Sequence, residues 1–168
     1  GFYAVLSENM RDLGTPVYPR RFFQAILQTL GERARIAIVR LKDAPVAAAL
    51  LITHRGTTEI PWASSLRRVN GIGVNMYLYW SVLEFAVKQG SAVFDFGRST
   101  LDSGTYRFKK QWGAEPLQLH WHYWLKSGGE LPRLNPSNPK YRLAVAAWQK
   151  LPLPVANWLG PHLVKNLP

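Results

Sequence analysis

Between Arg35 and Ser65 three short apolar runs succeed one another, with too few residues between them for a crossover helix. Arg35–Leu41 (Arg-Ile-Ala-Ile-Val-Arg-Leu) is β-branched and ends at the turn Lys42-Asp43-Ala44-Pro45. Val46–Thr53 returns as its hairpin partner. A second turn, Arg55-Gly56-Thr57, leads into Thr58–Ser65. Strands this short and this tightly joined pair with neighbours running the opposite way, so an antiparallel meander is expected here.

Helical spacing flanks the meander. Phe2, Val5, Leu6, Met10 and Leu13 form one face of a helix over 2–13, stopped by Gly14 and Pro16. A second helix begins after Pro19, buries Phe22, Phe23, Ile26, Leu27 and Leu30, and ends at Gly31. After the loop Leu66–Gly73, residues 74–89 form the longest helix, with Asn75 as the expected N-cap and Gly90 as the stop. Its apolar residues occupy most of the circumference, which predicts packing on more than one side. A short strand at 92–96, a helix near 104–112 and an alternating strand, Leu117–Leu125, follow. The order α-α-β-β-β-α-β-α-β predicts a mixed, mostly antiparallel α/β sheet flanked by helices, with a helical C-terminal tail.

The chain of 168 residues has no cysteine, which excludes disulfides and thiolate metal sites. Its net charge of +11 favours an anionic partner: nucleic acid, nucleotide, phosphorylated lipid or membrane surface. The opening Gly-Phe-Tyr lacks an initiator Met and a signal pattern, so the start is expected to lie inside a longer product.

Chemistry-bearing residues gather in Val93-Phe94-Asp95-Phe96-Gly97-Arg98-Ser99-Thr100 and in Gly104-Thr105-Tyr106-Arg107-Phe108-Lys109-Lys110-Gln111-Trp112-Gly113. The first reads as a strand followed by a polar loop, and the second as a basic-aromatic helix. Asp95 lies between two phenylalanines on a strand expected to be buried, so its carboxylate needs a partner, and Arg98 is the natural one. That makes Asp95 either a brace for the loop or else a base or substrate anchor, and the brace is the better reading. Arg67, Arg68, Asn70, Gly71 and Gly73 precede the long helix, where loop amides and a helix N-terminus favour an anion. Asp95-Phe96-Gly97 spells a kinase triplet, but no kinase glycine loop or catalytic loop accompanies it. His120 and His122 share a strand face without a third ligand nearby, so no metal is expected.

The order of elements, with Arg68-Val69-Asn70-Gly71-Ile72-Gly73 before the long helix, resembles the GNAT acyltransferases, whose Arg/Gln-x-x-Gly-x-Gly/Ala loop binds the pyrophosphate of coenzyme A. Phe94-Asp95-Phe96-Gly97-Arg98-Ser99, Phe108-Lys109 and Trp112-Gly113-Ala114 resemble the FemAB-related branch. Asn9–Pro16, Leu151–Pro154 and Leu159-Gly160-Pro161 resemble the FemAB-like proteins of the exosortase/PEP-CTERM system. The resemblance implies transfer of an acetyl, acyl or aminoacyl group to an amine or hydroxyl of a cell-envelope or exopolysaccharide acceptor. The donor would be acyl-CoA or aminoacyl-tRNA, with no tightly bound cofactor. It further implies that this chain is the second of two GNAT-like lobes, whose missing N-terminal lobe is a partner.

On that resemblance Lys109 is the candidate for stabilising developing negative charge, against a reading as a solvated helix lysine like Lys110. Ser99 and Tyr106 are candidate proton donors. Glu59 opens the third strand, where GNAT enzymes sometimes place a base, but it reads better as an exposed strand-end charge. The alternative function is a non-catalytic GNAT-fold module that binds RNA, nucleotide-sugar or polysaccharide, or that acts as a scaffold.

A boundary is expected at 126/127: residues 1–126 form the acyltransferase domain, and 127–168 form a Pro/Gly linker and a helical extension. Two helices are expected there, over Tyr141–Leu151 and Val155–Leu167. Trp148 and Trp158 favour packing of this tail on the core. The competing reading is a membrane-surface helix, which would make the protein peripheral at the inner membrane rather than simply cytoplasmic.

Overall fold

The computed structural model describes residues 1–125 and 139–165. The linker expected around 127–138 lies outside the described residues. Two compact units result, Gly1–Gly97 with Ala144–Pro168, and Arg98–Leu143.

The first unit opens with helices α1 (Phe2–Leu13) and α2 (Arg20–Leu30). Strands β1 (Ala34–Leu41), β2 (Ala44–His54) and β3 (Thr57–Ser65) follow as the antiparallel meander. Helix α3 (Val74–Lys88) then returns the chain to β4 (Val93–Asp95), which pairs parallel with β3. The mixed sheet has the order β1-β2-β3-β4.

Strand β2 is the centre, with Val46 through Leu51 all at most 3% exposed. Its alternate residues serve two layers. Ala48 and Leu50 join Phe2, Val5, Leu6, Val17, Phe23 and Leu66 under α1 and α2, with Trp62 packed against them. Edge-to-face rings tighten that layer, Phe23 lying 5.3 Å from both Phe2 and Trp62. The intervening Ala47, Ala49 and Leu51 face the other way, and α3, which packs on β1, β2 and β3, buries Leu78, Val82 and Ala86 there.

Helix α3 departs from expectation twice. Gly73, at φ 71°, is its N-cap in place of Asn75, and no side chain caps it. Only one side of the helix is buried, leaving Tyr77, Trp80 and Val87 exposed. A single sheet face cannot cover a helix that is apolar nearly all round.

The tail enters this unit at Ala144, within α5 (Pro139–Gln149), and continues into α6 (Leu153–Val164). Gln149 Nε2 donates to Asp12 O at 3.0 Å. Gly14, at φ 81°, caps α1, and a Cβ there would lie 2.4 Å from Val145 Cγ1. Helix α6 contacts α1 and buries Ala156, Gly160 and Val164, so its docked stripe is made of small residues. Trp158, expected to need a partner, is instead 69% exposed, because it lies on the opposite side of the helix.

The second unit contains α4 (Gly104–Gln111), whose Ser103 cap accepts the Tyr106 N–H at 3.1 Å. The strand expected at Leu117–Leu125 does not form, and its residues are exposed on both alternating faces. Alternation creates a two-faced strand only where a neighbouring edge pairs with it.

Candidate active site

The site begins where β3 and β4 part. Their parallel pairing runs through Thr57↔Val93, Thr58↔Phe94 and Glu59↔Asp95 and stops there, while β3 continues to Ser65. Below the parting the two strands are pinned. Gly56 O accepts the N–H groups of Ala92 (2.7 Å) and Val93 (3.2 Å). A buried hydroxyl chain links Thr53 to Thr58 (2.9 Å) and Thr58 to Ser91 (2.7 Å).

Above the parting, two local devices separate the strands. The register between β2 and β3 jumps from Leu50↔Trp62 to Ile52↔Glu59, so Ile60 and Pro61 oppose Leu51 in a bulge. On the other side, Asp95 Oδ1 accepts the Gly97 N–H at 2.7 Å, and Gly97, at φ 69°, turns the chain away. Phe96 stacks on Tyr79 of α3 at 5.9 Å and meets Phe94 edge-on at 4.9 Å.

Asp95 therefore differs from its expected state. Asp95 is the last residue of β4, a three-residue strand at the sheet edge, and its carboxylate is exposed rather than buried. It is engaged by its own loop, and the Arg98 guanidinium lies instead over the Trp121 ring at 5.3 Å. The neighbour that matters is Glu59. It sits beside Asp95 on the adjacent strand, and its carboxyl is pushed above the usual range, first by partial burial and then by the Asp95 charge. Glu59 is exposed near the start of β3, as its reading as an exposed strand-end charge expects.

The same end of the sheet carries the loop that leads into α3. Leu66 anchors it, buried in the core and donating its N–H to Val46 O at 2.9 Å. Arg67–Ile72 form a short 3-10 helix, and Gly73 N donates to Asn70 O at 3.2 Å. The first backbone bond of α3 runs from Tyr77 N to Gly73 O at 3.0 Å. The N–H groups of Val74, Asn75 and Met76 thus begin the helix without intrahelical acceptors and face the end where an anion is favoured.

Arg67 and Arg68, grouped together in the sequence, separate here. Arg68 pairs with Glu8 of α1, while Arg67 is exposed. Asn9 Nδ2 also donates to Ser64 Oγ at 3.1 Å, so α1 is tied to the end of β3 as well as to the loop that follows it. Glu8 and Asn9 carry no sequence signal for this role, because the contacts span 60 and 55 positions.

In the second unit, Lys109 Nζ donates to Arg98 O at 2.9 Å and closes the loop between β4 and α4. Tyr106 is half-buried. Ser99 Oγ is buried without a hydrogen-bond partner among the described residues.

Strand β4 ends at Asp95 while β3 runs on to Ser65, toward the end of the sheet that carries the glycine loop and the uncapped start of α3, where backbone N–H groups favour an anion. Over residues 2–110 the sequence matches the acetyltransferase (GNAT) domain family. The chain belongs to this GNAT family. Three solved GNAT structures share its fold. An aminoglycoside acetyltransferase from an uncultured soil metagenomic sample, in complex with trehalose, is 13% identical, with 74% of this chain and 88% of that one covered and a TM-score of 0.57. The ribosomal-protein-alanine N-acetyltransferase of Brucella melitensis is 10% identical, with 73% and 89% covered and a TM-score of 0.54. Aminoglycoside N-acetyltransferase AAC(6')-Iy in complex with CoA is 13% identical, with 63% and 87% covered and a TM-score of 0.50. No curated protein matches the chain in sequence. Placing the chain among GNAT proteins gives its loop, its parted strands and its helix order one common explanation.

Proposed function

We propose that the chain transfers an acyl group from a coenzyme A thioester to an amine, with Glu59 as the general base. The observation that carries this reading is the end of β3–β4 pairing at Glu59↔Asp95, on the same end of the sheet as the loop before α3. The donor pyrophosphate would lie on the first-turn amides of α3 and beside Arg67. The strand-like amides of its pantetheine arm would run along β3 above Glu59, which β4 leaves open.

Glu59 takes a proton from the acceptor ammonium, and the freed nitrogen attacks the thioester carbonyl carbon. The C–N bond forms, the C–S bond breaks, and the leaving thiolate takes up the second proton that the nitrogen gives up, so that a neutral amide and a free thiol result. A carboxyl raised toward neutrality is a better base for this step than an ordinary glutamate. Asp95 acts on Glu59 through its charge, and the paired carboxylates favour a cationic acceptor.

The finer reading is a FemAB-like transfer onto a cell-envelope or exopolysaccharide amine. It is supported by Phe94–Ser99 and Phe108-Lys109, and it adds aminoacyl-tRNA as the competing donor.

The test is thermal stabilisation by acetyl-CoA and by tRNA in parallel, followed by pH–rate profiles. Acetyl-CoA should raise Tm, and Glu59→Gln should lower kcat/KM by about 10²–10⁴-fold. Asp95→Asn removes one cause of the raised Glu59 pKa, so the acid limb of the profile should move to lower pH. An unmoved limb with full activity in Glu59→Gln overturns the base assignment. Stabilisation by tRNA alone overturns the coenzyme A donor.

A further inference from the structure

Helix α6 is apolar on both sides, and among the described residues only one side is docked. Ala156, Gly160 and Val164 recur every four residues and lie against the protein. Gly160 approaches the Val17 backbone so closely that a Cβ would lie 3.0 Å from Val17 O. At 100° per residue, Val155, Trp158 and His162 fall on the opposite face. Val155 is 38% and Trp158 69% exposed, with Leu163 at the flank 44% exposed. The His162 ring meets the Trp158 ring edge-on at 6.2 Å.

The charge beside α6 in the sequence has one sign: after Glu130 no acidic residue follows. Lys150 and Lys165 bracket α6. A helix with a tryptophan on its apolar outer face, a lysine beyond each end and no carboxylate of its own matches the boundary between acyl chains and anionic headgroups. At about 1.5 Å per residue, the 12 residues of α6 extend about 18 Å, well short of the roughly 30 Å of a bilayer core. Among the described residues no helix is long and apolar enough to cross a membrane.

We propose that the outer face of α6 docks on an anionic phospholipid surface. The helix lies in the interface plane, Trp158 and Val155 enter the headgroup–acyl boundary, and Lys150 and Lys165 meet lipid phosphates. This rests on α6 alone and is independent of the acyl-transfer reading.

The test is flotation of the whole chain with vesicles of phosphatidylcholine, alone and mixed with phosphatidylglycerol. Binding is expected only to the mixed vesicles. Val155→Ser with Trp158→Ser should weaken it at least tenfold, with Tm unchanged because the docked stripe is untouched. Trp80→Ser, which removes an equally exposed tryptophan on α3, should not weaken it. Charge reversal at Lys150→Glu and Lys165→Glu should abolish it, and this surface change keeps the test decisive if the serine variant is unstable. Equal binding by the serine variant and the parent, or no binding to either vesicle, overturns the proposal. So does self-association in sedimentation velocity that the serine variant abolishes, which would make a second copy the occupant.

Discussion

Gly160→Ala tests how α6 is held on the protein. A Cβ at this position would lie 3.0 Å from Val17 O, 3.1 Å from Val17 N and 3.5 Å from Val17 Cγ1. Two of these atoms are backbone, so no side-chain rotation relieves the contact and α6 must retreat by a few tenths of an ångström. Overpacking of this kind costs about 1–3 kcal/mol. Alanine offsets up to about 1 kcal/mol of it through its advantage over glycine in a helix. The balance is a loss of about 0–2 kcal/mol, and at this chain length each kcal/mol lowers Tm by about 2–4 °C. Gly160→Val should lower Tm further, because a branched side chain brings more bulk to the same contact and less helix propensity. Thermal denaturation by circular dichroism reads the magnitude, and hydrogen exchange at α6 and around Val17 reads the location. A rise in Tm for Gly160→Ala, with unchanged exchange, is the outcome for a helix that touches nothing, and it would refute this packing.

Other substitutions separate stability from chemistry. Gly71→Ala meets no atom within 4 Å and has no left-handed φ to strain, so Tm should hold while the KM for acetyl-CoA rises. Gly73→Ala also enters open space, but at φ 71° it should cost about 1 kcal/mol or more in stability; equal stability for the two variants would remove the conformational argument. Thr58→Val keeps the shape but strips the buried hydroxyl chain between Thr53 and Ser91, so urea denaturation should show a loss of about 1–3 kcal/mol, and a neutral result would mean the chain re-forms without it. Lys109→Ala should abolish transfer, and loss of the bond to Arg98 O, worth about 1 kcal/mol, should itself lower Tm by about 2–4 °C. Faster exchange across 98–103 with full activity would make Lys109 a loop brace only.

The meander and the first three helices were readable because each pattern states a period and a stop: alternation between tight turns, and apolar fours and threes closed by Gly14, Gly31 and Gly90. What the pattern does not state is which edge or face receives a partner. Leu117–Leu125 alternates without pairing, and Asp95 between Phe94 and Phe96 reads as buried although β4 is a sheet edge. Glu59 shows the same limit at the site itself. Its position beside Asp95 depends on the bulge that sets Ile60 and Pro61 against Leu51. Without that extra residue Glu59 would pair with Thr53, on the face where Thr58 is now fully buried against Ser91, and a carboxylate would replace a hydroxyl inside the core. The bulge is therefore what delivers Glu59 to the cleft, and it also opens the strand pair there. Its trace in the sequence is Pro61, a residue without an N–H in the middle of a strand, where a sheet tolerates it only at a bulge or an edge.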